Sequence, residues 1–142
     1  MYGVCVRDHI MIAHSLSGQL FGQARQLHGA TYIVDVEFRR RQLDAHQLVV
    51  DIGAAGQALR EVLASLNYRN LDSLPEFSGR NTTTEFLAKV VFDRMVLAIR
   101  DGRLGPSAAG ITSLRVTLHE SHLAWASFEA ELAASDAEPA TR

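Results

Sequence analysis

Apolar and polar side chains alternate along several stretches of this chain, and alternation with a period of two is the pattern of a β-strand. In the clearest stretch, residues 32–39, one face is apolar and the other is mostly charged. The apolar face comprises Tyr32, Val34, Val36 and Phe38. Residues 2–16 alternate less regularly, whereas residues 112–120 alternate again, with Leu114, Val116 and Leu118 on one face. Residues 125–132 carry further apolar side chains. The pattern therefore predicts four strands.

Between the second and third predicted strands, apolar residues recur at the spacing of an α-helix. In the first helix, which follows residues 48–53, they are Leu59, Val62, Leu63 and Leu66. Thr82 and Glu85 have the spacing of a capping box and predict the start of a second helix, which ends at Asp101-Gly102. The element order is thus β-β-α-α-β-β.

This order predicts a protein of the α+β class, with a four-stranded antiparallel sheet and two helices on one of its faces. We expect residues 1–133 to form a single domain and residues 134–142 to be a disordered tail. An open sheet has exposed edge strands, and copies of the chain could cover these edges by joining. A homo-oligomer is therefore expected on physical grounds.

The composition changes this picture little. The chain has 142 residues, of which 47% are hydrophobic and 21% charged, as is typical of a soluble globular domain. With a net charge of −2, no overall field favours nucleic acid or an anionic membrane. No segment approaches the ~20 apolar residues of a membrane span, and the first residues lack a signal-peptide pattern. We therefore expect a cytoplasmic protein with no nucleic-acid or membrane partner, and its single cysteine, Cys5, excludes an intramolecular disulfide.

Several segments, taken in order and spacing, resemble the 6-pyruvoyl-tetrahydropterin synthase / 6-carboxytetrahydropterin synthase family, which has the tunnelling fold. Residues 12–16 resemble the family's Phe-x-Ala-x-His-x-Leu strand end, and residues 27–32 resemble its Leu-His-Gly-His-Asn-Tyr signature. Residues 50–72 are similar to Val-x-Asp-Phe followed by Leu-Asp-His-x-Asn-Leu-Asn. Residues 82–86 and 118–128 are similar to Pro-Thr-x-Glu-Asn and to x-Glu-Thr…Ala-x-Tyr. The resemblance covers nearly the whole chain.

The resemblance implies a ring, a trimer, hexamer or related assembly, with active sites at subunit interfaces. In that family three histidines bind zinc, a Cys/His/Asp set moves protons, and a late glutamate binds the pyrimidine ring of a pterin. A small heterocyclic ligand is the partner that the resemblance implies for this chain.

The zinc site that the resemblance implies is incomplete. His14 and His28 match two of the ligands, but Ala30 occupies the third position, and a methyl group cannot bind a metal. One hypothesis is that the two histidines are hydrogen-bonded in a pocket without metal, and we favour it. The other is that zinc remains possible through a replacement ligand, for which the candidates are His9, His119 and His122.

The proton-transfer set of the family is also exchanged. Its cysteine position is Ala24 here, and its Asp-His pair is Asn67-Tyr68. Alanine cannot act as a base, and an unperturbed tyrosine has a pKa near ~10. Strict alternation puts Cys5 on the strand face opposite His14, so we expect Cys5 to be a buried strand residue rather than a substitute.

The ligand-binding residues of the family are retained. Glu120 lines up with the ring-binding glutamate and Thr83 with the family's threonine. A carboxylate can accept two parallel N–H bonds from the 2-amino-pyrimidinone edge of pterin or guanine. An exposed glutamate at a strand end is common, but the matching context favours the role of a ligand anchor.

New titratable groups flank this anchor. His119 and His122 stand on either side of Glu120, and histidine is the side chain best suited to acid–base catalysis near neutral pH. Alternatively, His119 points away from Glu120 because a strand alternates, and His122 is a turn residue. Tyr68 could donate a proton or stack on a planar ligand. His119, His122 and Tyr68 are the candidate catalytic residues.

Two functions remain open from the sequence. The first is a divergent lyase or cyclase that acts on a pterin-like or related heterocycle, without the activity of the family itself. The second is a non-catalytic pterin- or purine-binding protein, or a structural ring. The retained Glu120 and Thr83 are common to both, whereas the exchanges at Ala24 and Ala30 favour the second.

Overall fold

The computed structural model of the protein describes residues 1–133, and the predicted tail at residues 134–142 lies outside them. The elements are β1 (Tyr2–His14), β2 (His28–Arg40), α1 (Ile52–Ala64), β3 (Arg69–Asn70), α2 (Thr84–Arg100), β4 (Ser113–His119) and β5 (Trp125–Glu131). Short 3₁₀ helices lie in the connecting loops, at Gln19–Arg25, Leu71–Ser73, Pro75–Phe77 and Pro106–Gly110. The α+β class and the order of the predicted elements are confirmed.

The strands form one sheet in the order β3-β1-β2-β4-β5. The long strands are antiparallel neighbours, but β3 pairs in parallel with β1 at one edge, so the predicted four-stranded, wholly antiparallel sheet was wrong by one strand. β3 has two residues, which is too short for an alternating pattern to show in the sequence. It is held beside β1 because the Tyr68 N–H donates to the Met11 carbonyl oxygen at 2.7 Å.

One face of the sheet carries the hydrophobic core. The even-numbered residues of β1, β2 and β4 lie on it, and α1 and α2 pack against it. The buried strand residues of this core are Ile10, Ile12, Tyr32, Val34, Val36, Phe38, Leu114, Val116 and Leu118. Burying a side chain of this kind contributes roughly 1.5–3 kcal/mol, so the core is what holds the helices on this face. The opposite face is not covered by any element among residues 1–133, and it carries charged side chains together with the exposed Met11 and Ile33.

The start of α2 differs from its predicted capping box. Thr83, not Thr82, is the N-cap, and its Oγ1 accepts a hydrogen bond from the Phe86 N–H at 3.2 Å. Thr82 is instead buried, and its carbonyl and hydroxyl oxygens contact the His14 ring. Either threonine fits the cap pattern, so only the tertiary contact decides between them. In the part of the chain that the structure describes, no helix has the length and apolar character needed to cross a membrane.

Candidate functional site

A cavity of about 320 Å³ opens where β1 ends and β2 begins, between the N-terminus of α2 and the β4–β5 hairpin. Its polar lining comes from separate parts of the sequence: His14, His28, Tyr32, Thr83, Thr84, Glu85 and Glu120. Apolar side chains complete the wall: Leu16, Phe21, Ala24, Ala124, Trp125 and Ala126. This size and this mixture of apolar wall and convergent polar groups are typical of a small-molecule site.

The sheet register brings the two candidate metal ligands together. His14 is the last residue of β1 and His28 the first of β2, and they are directly opposite each other. Both project from the core face, and their ring centroids lie 4.6 Å apart at an interplanar angle of 63°. The strand register thus forms one imidazole pair in the wall of the cavity.

Hydrogen bonds define the proton positions on both rings. His14 Nδ1 lies 3.0 Å from the Thr82 carbonyl oxygen, and His28 Nδ1 lies 2.8 Å from the Gln26 carbonyl oxygen. A carbonyl oxygen can only accept, so each Nδ1 carries the hydrogen and each Nε2 has a free lone pair when the ring is neutral. Burial, followed by the neighbouring His28, lowers the pKa of His14, which favours the neutral ring.

The two free Nε2 atoms have the tautomer of metal-bound histidines, whose other nitrogen commonly donates to a carbonyl. A catalytic zinc nevertheless requires three protein ligands. Ala30, two residues beyond His28 on the same strand face, offers none. Residues 1–133 contain no cluster of three histidine, cysteine or acidic side chains that could hold a metal ion. Residues 1–133 of one chain therefore do not fit the zinc ion that the resemblance implies.

None of the proposed replacement ligands joins the pair within the chain. His9 and His119 project from the sheet face opposite His14, and His122 lies in the exposed hairpin loop. The alternating phase of the strands, which places odd and even residues on opposite faces, accounts for the first two positions.

Glu120 and Thr83, the predicted ligand-binding residues, both line the cavity. Glu120 directly follows β4, and its N–H donates to the Ala124 carbonyl oxygen at 3.1 Å across the hairpin. The Thr83 hydroxyl oxygen already accepts the Phe86 N–H, so its own hydrogen remains available to a ligand. Thr83 also lies at the N-terminus of α2, where the helix dipole favours negative charge.

The three residues that stand in place of the family's proton-transfer set have separate surroundings in the structure. Ala24 lines the cavity, where it offers no titratable group. The Asn67 side-chain oxygen accepts the Met11 N–H at 3.0 Å, so Asn67 holds the sheet edge. Tyr68 is 79% exposed, away from the cavity of its own chain, and its backbone has a φ of 60°, which is unusual for a tyrosine.

Cys5 lies on the sheet face opposite His14, as alternation predicts, but it is exposed, so the prediction of a buried cysteine was wrong. No element among residues 1–133 covers that face of the sheet, which is why the residue is accessible. Partial burial, followed by the nearby Asp35 and Glu37 carboxylates, raises the pKa of the Cys5 thiol. A raised pKa disfavours the reactive thiolate.

His119 takes part in a polar network on the same open face. Its Nε2 donates to Asp35 Oδ2 at 2.9 Å, and Arg7 donates to both Asp35 oxygens at 2.6 and 2.9 Å. The hydrogen bonds from Arg7 are the main cause of a lowered pKa for the Asp35 carboxyl, which is therefore ionised near neutral pH. His119 thus points away from Glu120. The structure does not bring His119, His122 or Tyr68 to the cavity of their own chain.

Sequence reasoning missed the aromatic part of the cavity wall, namely Phe21 and Trp125. Phe21 lies in the 3₁₀ helix Gln19–Arg25, a stretch to which the sequence pattern assigned neither a strand nor a helix. Trp125 was counted only among the apolar residues of the last predicted strand. The one available signal was that the single tryptophan of the chain stands at the start of that strand.

The fold and the cavity together define an α+β protein with a histidine pair and a carboxylate around a small-molecule site. The family model described as 6-pyruvoyl tetrahydropterin synthase matches residues 3–131. The chain therefore belongs to this family, and the assignment made from the sequence segments is confirmed.

Individual relatives are distant. The chain is 26% identical over 85 residues to 6-pyruvoyl tetrahydrobiopterin synthase of Dictyostelium discoideum, a match that covers 58% of this chain and 63% of that protein. The structure of Caenorhabditis elegans 6-pyruvoyl tetrahydropterin synthase superposes with a TM-score of 0.74 at 19% identity, covering 93% of this chain and 96% of that one. The structure of 6-pyruvoyl tetrahydropterin synthase from Plasmodium vivax superposes with a TM-score of 0.75 at 16% identity, covering 92% of this chain and 98% of that one. At this identity the structural likeness shows the shared fold alone.

Proposed function

We propose that the chain is a divergent member of its family, a lyase- or cyclase-type enzyme that acts on a pterin-like or related heterocycle without the parent activity. One observation carries the proposal: Glu120, Thr83 and the His14–His28 pair, from separate parts of the sequence, line a single cavity. The cavity volume of about 320 Å³ suits a bicyclic ring.

The geometry supports distinct roles for these groups. The Glu120 carboxylate accepts two N–H hydrogen bonds from the 2-amino-4-oxo-pyrimidine edge of the ligand. The Thr83 hydroxyl donates a hydrogen bond to the same ligand. The free Nε2 atoms of His14 and His28 accept or relay a proton, because burial keeps the first ring neutral. The proposed roles use these side chains alone and involve no metal ion.

We further propose that the site is completed in a homo-oligomer, a trimer, hexamer or related ring. The outer edge of β5 is unpaired and the face opposite the helices is open within residues 1–133, so a second copy can cover both. Tyr68 and His122 are exposed and away from their own cavity, and in this proposal they reach the cavity of a neighbouring copy. The hydrogen bonds between residues 67–68 and Met11 hold Tyr68 outward in its rare backbone conformation.

Light scattering on the purified protein tests the assembly. We expect a mass that is a multiple, three- or sixfold, of the 15.6 kDa chain, because an open sheet edge and an uncovered face are costly to leave in water. Charging the unpaired edge through Ser127→Lys should lower that mass, whereas Gln57→Lys on exposed α1 should not. A monomer at micromolar concentration would contradict the proposal of a shared site.

Turnover assays test the chemistry. With dihydroneopterin triphosphate as substrate we expect little 6-carboxytetrahydropterin, because Ala24 offers no proton-transfer group at the cavity. With a panel of related heterocycles we expect turnover, and we expect Tyr68→Phe or His122→Gln to reduce it at least about tenfold. The loss of a catalytic acid or base typically lowers the rate by even more. Tyr2→Phe is the matched control, because Tyr2, on β1, is an exposed tyrosine like Tyr68. Rapid formation of the parent product would overturn the claim of a lost activity.

The second candidate is a non-catalytic pterin- or purine-binding protein, or a structural ring. It is favoured by Ala24, which puts a methyl group on the cavity wall where catalysis would need a base. Tight binding of a pterin or guanine with no turnover of any heterocycle would decide for this function and against the enzyme.

A further inference from the structure

Tyr32 lies on the core face of β2 and is only 1% exposed, yet its side chain lines the cavity. At the cavity end of the ladder between β2 and β4, the last opposite pair is Ile33 and His119. Tyr32 and Glu120 are the next residues beyond that pair, and both line the cavity. Because opposite side chains of an antiparallel pair begin about 5 Å apart, the phenol stands beside the ligand anchor.

The hydroxyl end of Tyr32 reaches the N-terminus of α2. It shares a hydrogen bond with the side chain of Thr84, the first residue of that helix. Thr84 is itself buried and lines the cavity. The tyrosine therefore places its hydroxyl group, and not only its ring, at the cavity wall.

The two hydroxyl groups form a hydrogen-bond donor. Two hydroxyls that share one hydrogen bond keep one of their two hydrogens for another acceptor, and within residues 1–133 neither has a further partner. Burial is the main cause of a raised pKa for the Tyr32 hydroxyl; the hydrogen bond with Thr84 opposes this shift, whereas the Glu120 and Glu85 carboxylates add to it. The phenol is thus protonated near neutral pH and can donate.

The ligand edge assigned to Glu120 has a third polar group. A 2-amino-4-oxo-pyrimidine presents two N–H donors and, beside them, an oxo acceptor. A carboxylate can only accept, so Glu120 binds the two N–H groups and leaves the oxo group without a partner. An acceptor that is buried without a hydrogen bond is costly, so the ligand requires a donor next to the carboxylate. The register places Tyr32 in that position.

We propose that the Tyr32 hydroxyl, oriented by Thr84, donates a hydrogen bond to the oxo group of the heterocycle that Glu120 binds by its edge. Tyr32 is then a specificity-determining residue, and Thr84 is a positioning residue that acts through it. The inference rests on the proposed function, because it concerns the same ligand. It narrows the ligand class to rings with an oxo group beside the two N–H groups, since a site built to hydrogen-bond a group rejects an analogue without it.

Competition titrations against pterin with guanine and 6-thioguanine test the donor. Both purines carry the two N–H groups that Glu120 accepts, but 6-thioguanine has sulfur, a weak acceptor, in place of the oxo oxygen. The wild type should bind guanine about tenfold more tightly than 6-thioguanine. Tyr32→Phe removes only the hydroxyl, so it should weaken guanine about tenfold and 6-thioguanine less than about threefold. The preference for the oxo group should therefore be lost.

Matched variants make this ratio specific. Tyr2→Phe removes a hydroxyl from a tyrosine of β1 that does not line the cavity, and it should change neither affinity. Thr84→Val removes the partner hydroxyl at similar volume and should reduce the preference about threefold, whereas Thr84→Ser keeps a hydroxyl and should restore it. A partly unfolded variant would weaken both purines by the same factor, so the ratio distinguishes loss of the donor from loss of the fold.

The outcomes separate this inference from the proposed function. If the wild type binds guanine, Glu120→Ala loses it and Tyr32→Phe keeps the wild-type ratio of affinities, the function stands and the role of Tyr32 is refuted. If Thr84→Val keeps that ratio, the positioning role of Thr84 is refuted. If the wild type binds neither pterin nor guanine, the proposed function fails and the role of Tyr32 fails with it.

Discussion

Replacing Glu120 with alanine is expected to weaken the binding of pterin and guanine about 100-fold. The reason is the loss of two charge-assisted hydrogen bonds, each worth roughly 1.5–3 kcal/mol when one partner is ionised. Glu120 follows β4 at the mouth of the cavity, and its side chain is exposed in the chain, so its removal should leave the core intact. The measurement is calorimetric titration of wild type and variant, with thermal unfolding as a check on the fold.

Two further variants make this experiment specific. Glu85→Ala removes another exposed carboxylate from the wall of the same cavity, and we expect it to change pterin affinity by less than about threefold. Glu120→Gln retains one acceptor oxygen but lacks the charge, so an intermediate loss of about tenfold is expected. If Glu120→Ala binds pterin and guanine as tightly as the wild type, the anchor is wrong, and both candidate functions lose their common basis.

The long helices and strands could be predicted from the sequence because their packing requires apolar residues to recur at a regular spacing. Tyr32 and Val36 must alternate with polar residues, since one face of β2 is buried under the helices and the other is open. The same requirement spaces Leu59 and Leu63 one helical turn apart on α1. Patterns of this kind arise wherever a long element has one apolar face.

Other features of the fold left no such pattern. β3 depends on a tertiary contact, the hydrogen bond from the Tyr68 N–H to the Met11 carbonyl oxygen, and two residues cannot show a period. The N-cap of α2 was displaced by one residue because the His14 ring binds Thr82 and leaves Thr83 to cap the helix. In both cases a residue distant in sequence decided between local alternatives of similar energy.

The candidate site was predictable only in part. The resemblance between short segments located His14, His28, Thr83 and Glu120, and all four line the cavity. The orientation of His119 was left open between two alternatives, although strand alternation with Leu118 in the core already places it on the other face. Its partner Asp35 could not be inferred, because the register between β2 and β4 is set by packing rather than by any local signal.

Replacing Ala30 with histidine is expected to create a zinc site. Residues 28 and 30 project from the same face of β2, and His14 lies directly opposite His28, so the new imidazole joins the existing pair. The two native rings already have their Nδ1 hydrogens engaged with carbonyl oxygens and their Nε2 lone pairs free. Elemental analysis after dialysis against zinc should show well under one zinc per subunit for the wild type and about one for Ala30→His, since three ligands suffice for a catalytic-type site.

Thr31→His is the matched control, because it adds a histidine one position further along, on the opposite and exposed face of β2. It should leave the zinc content at the wild-type level. Adding His28→Ala to the Ala30→His protein should remove the metal again, which would show that the site is built on the native pair. A wild type that retains about one zinc per subunit would instead mean that another ligand completes the site in the assembled protein. A folded Ala30→His variant that binds no zinc would mean that the strand ends cannot bring three imidazoles around one ion.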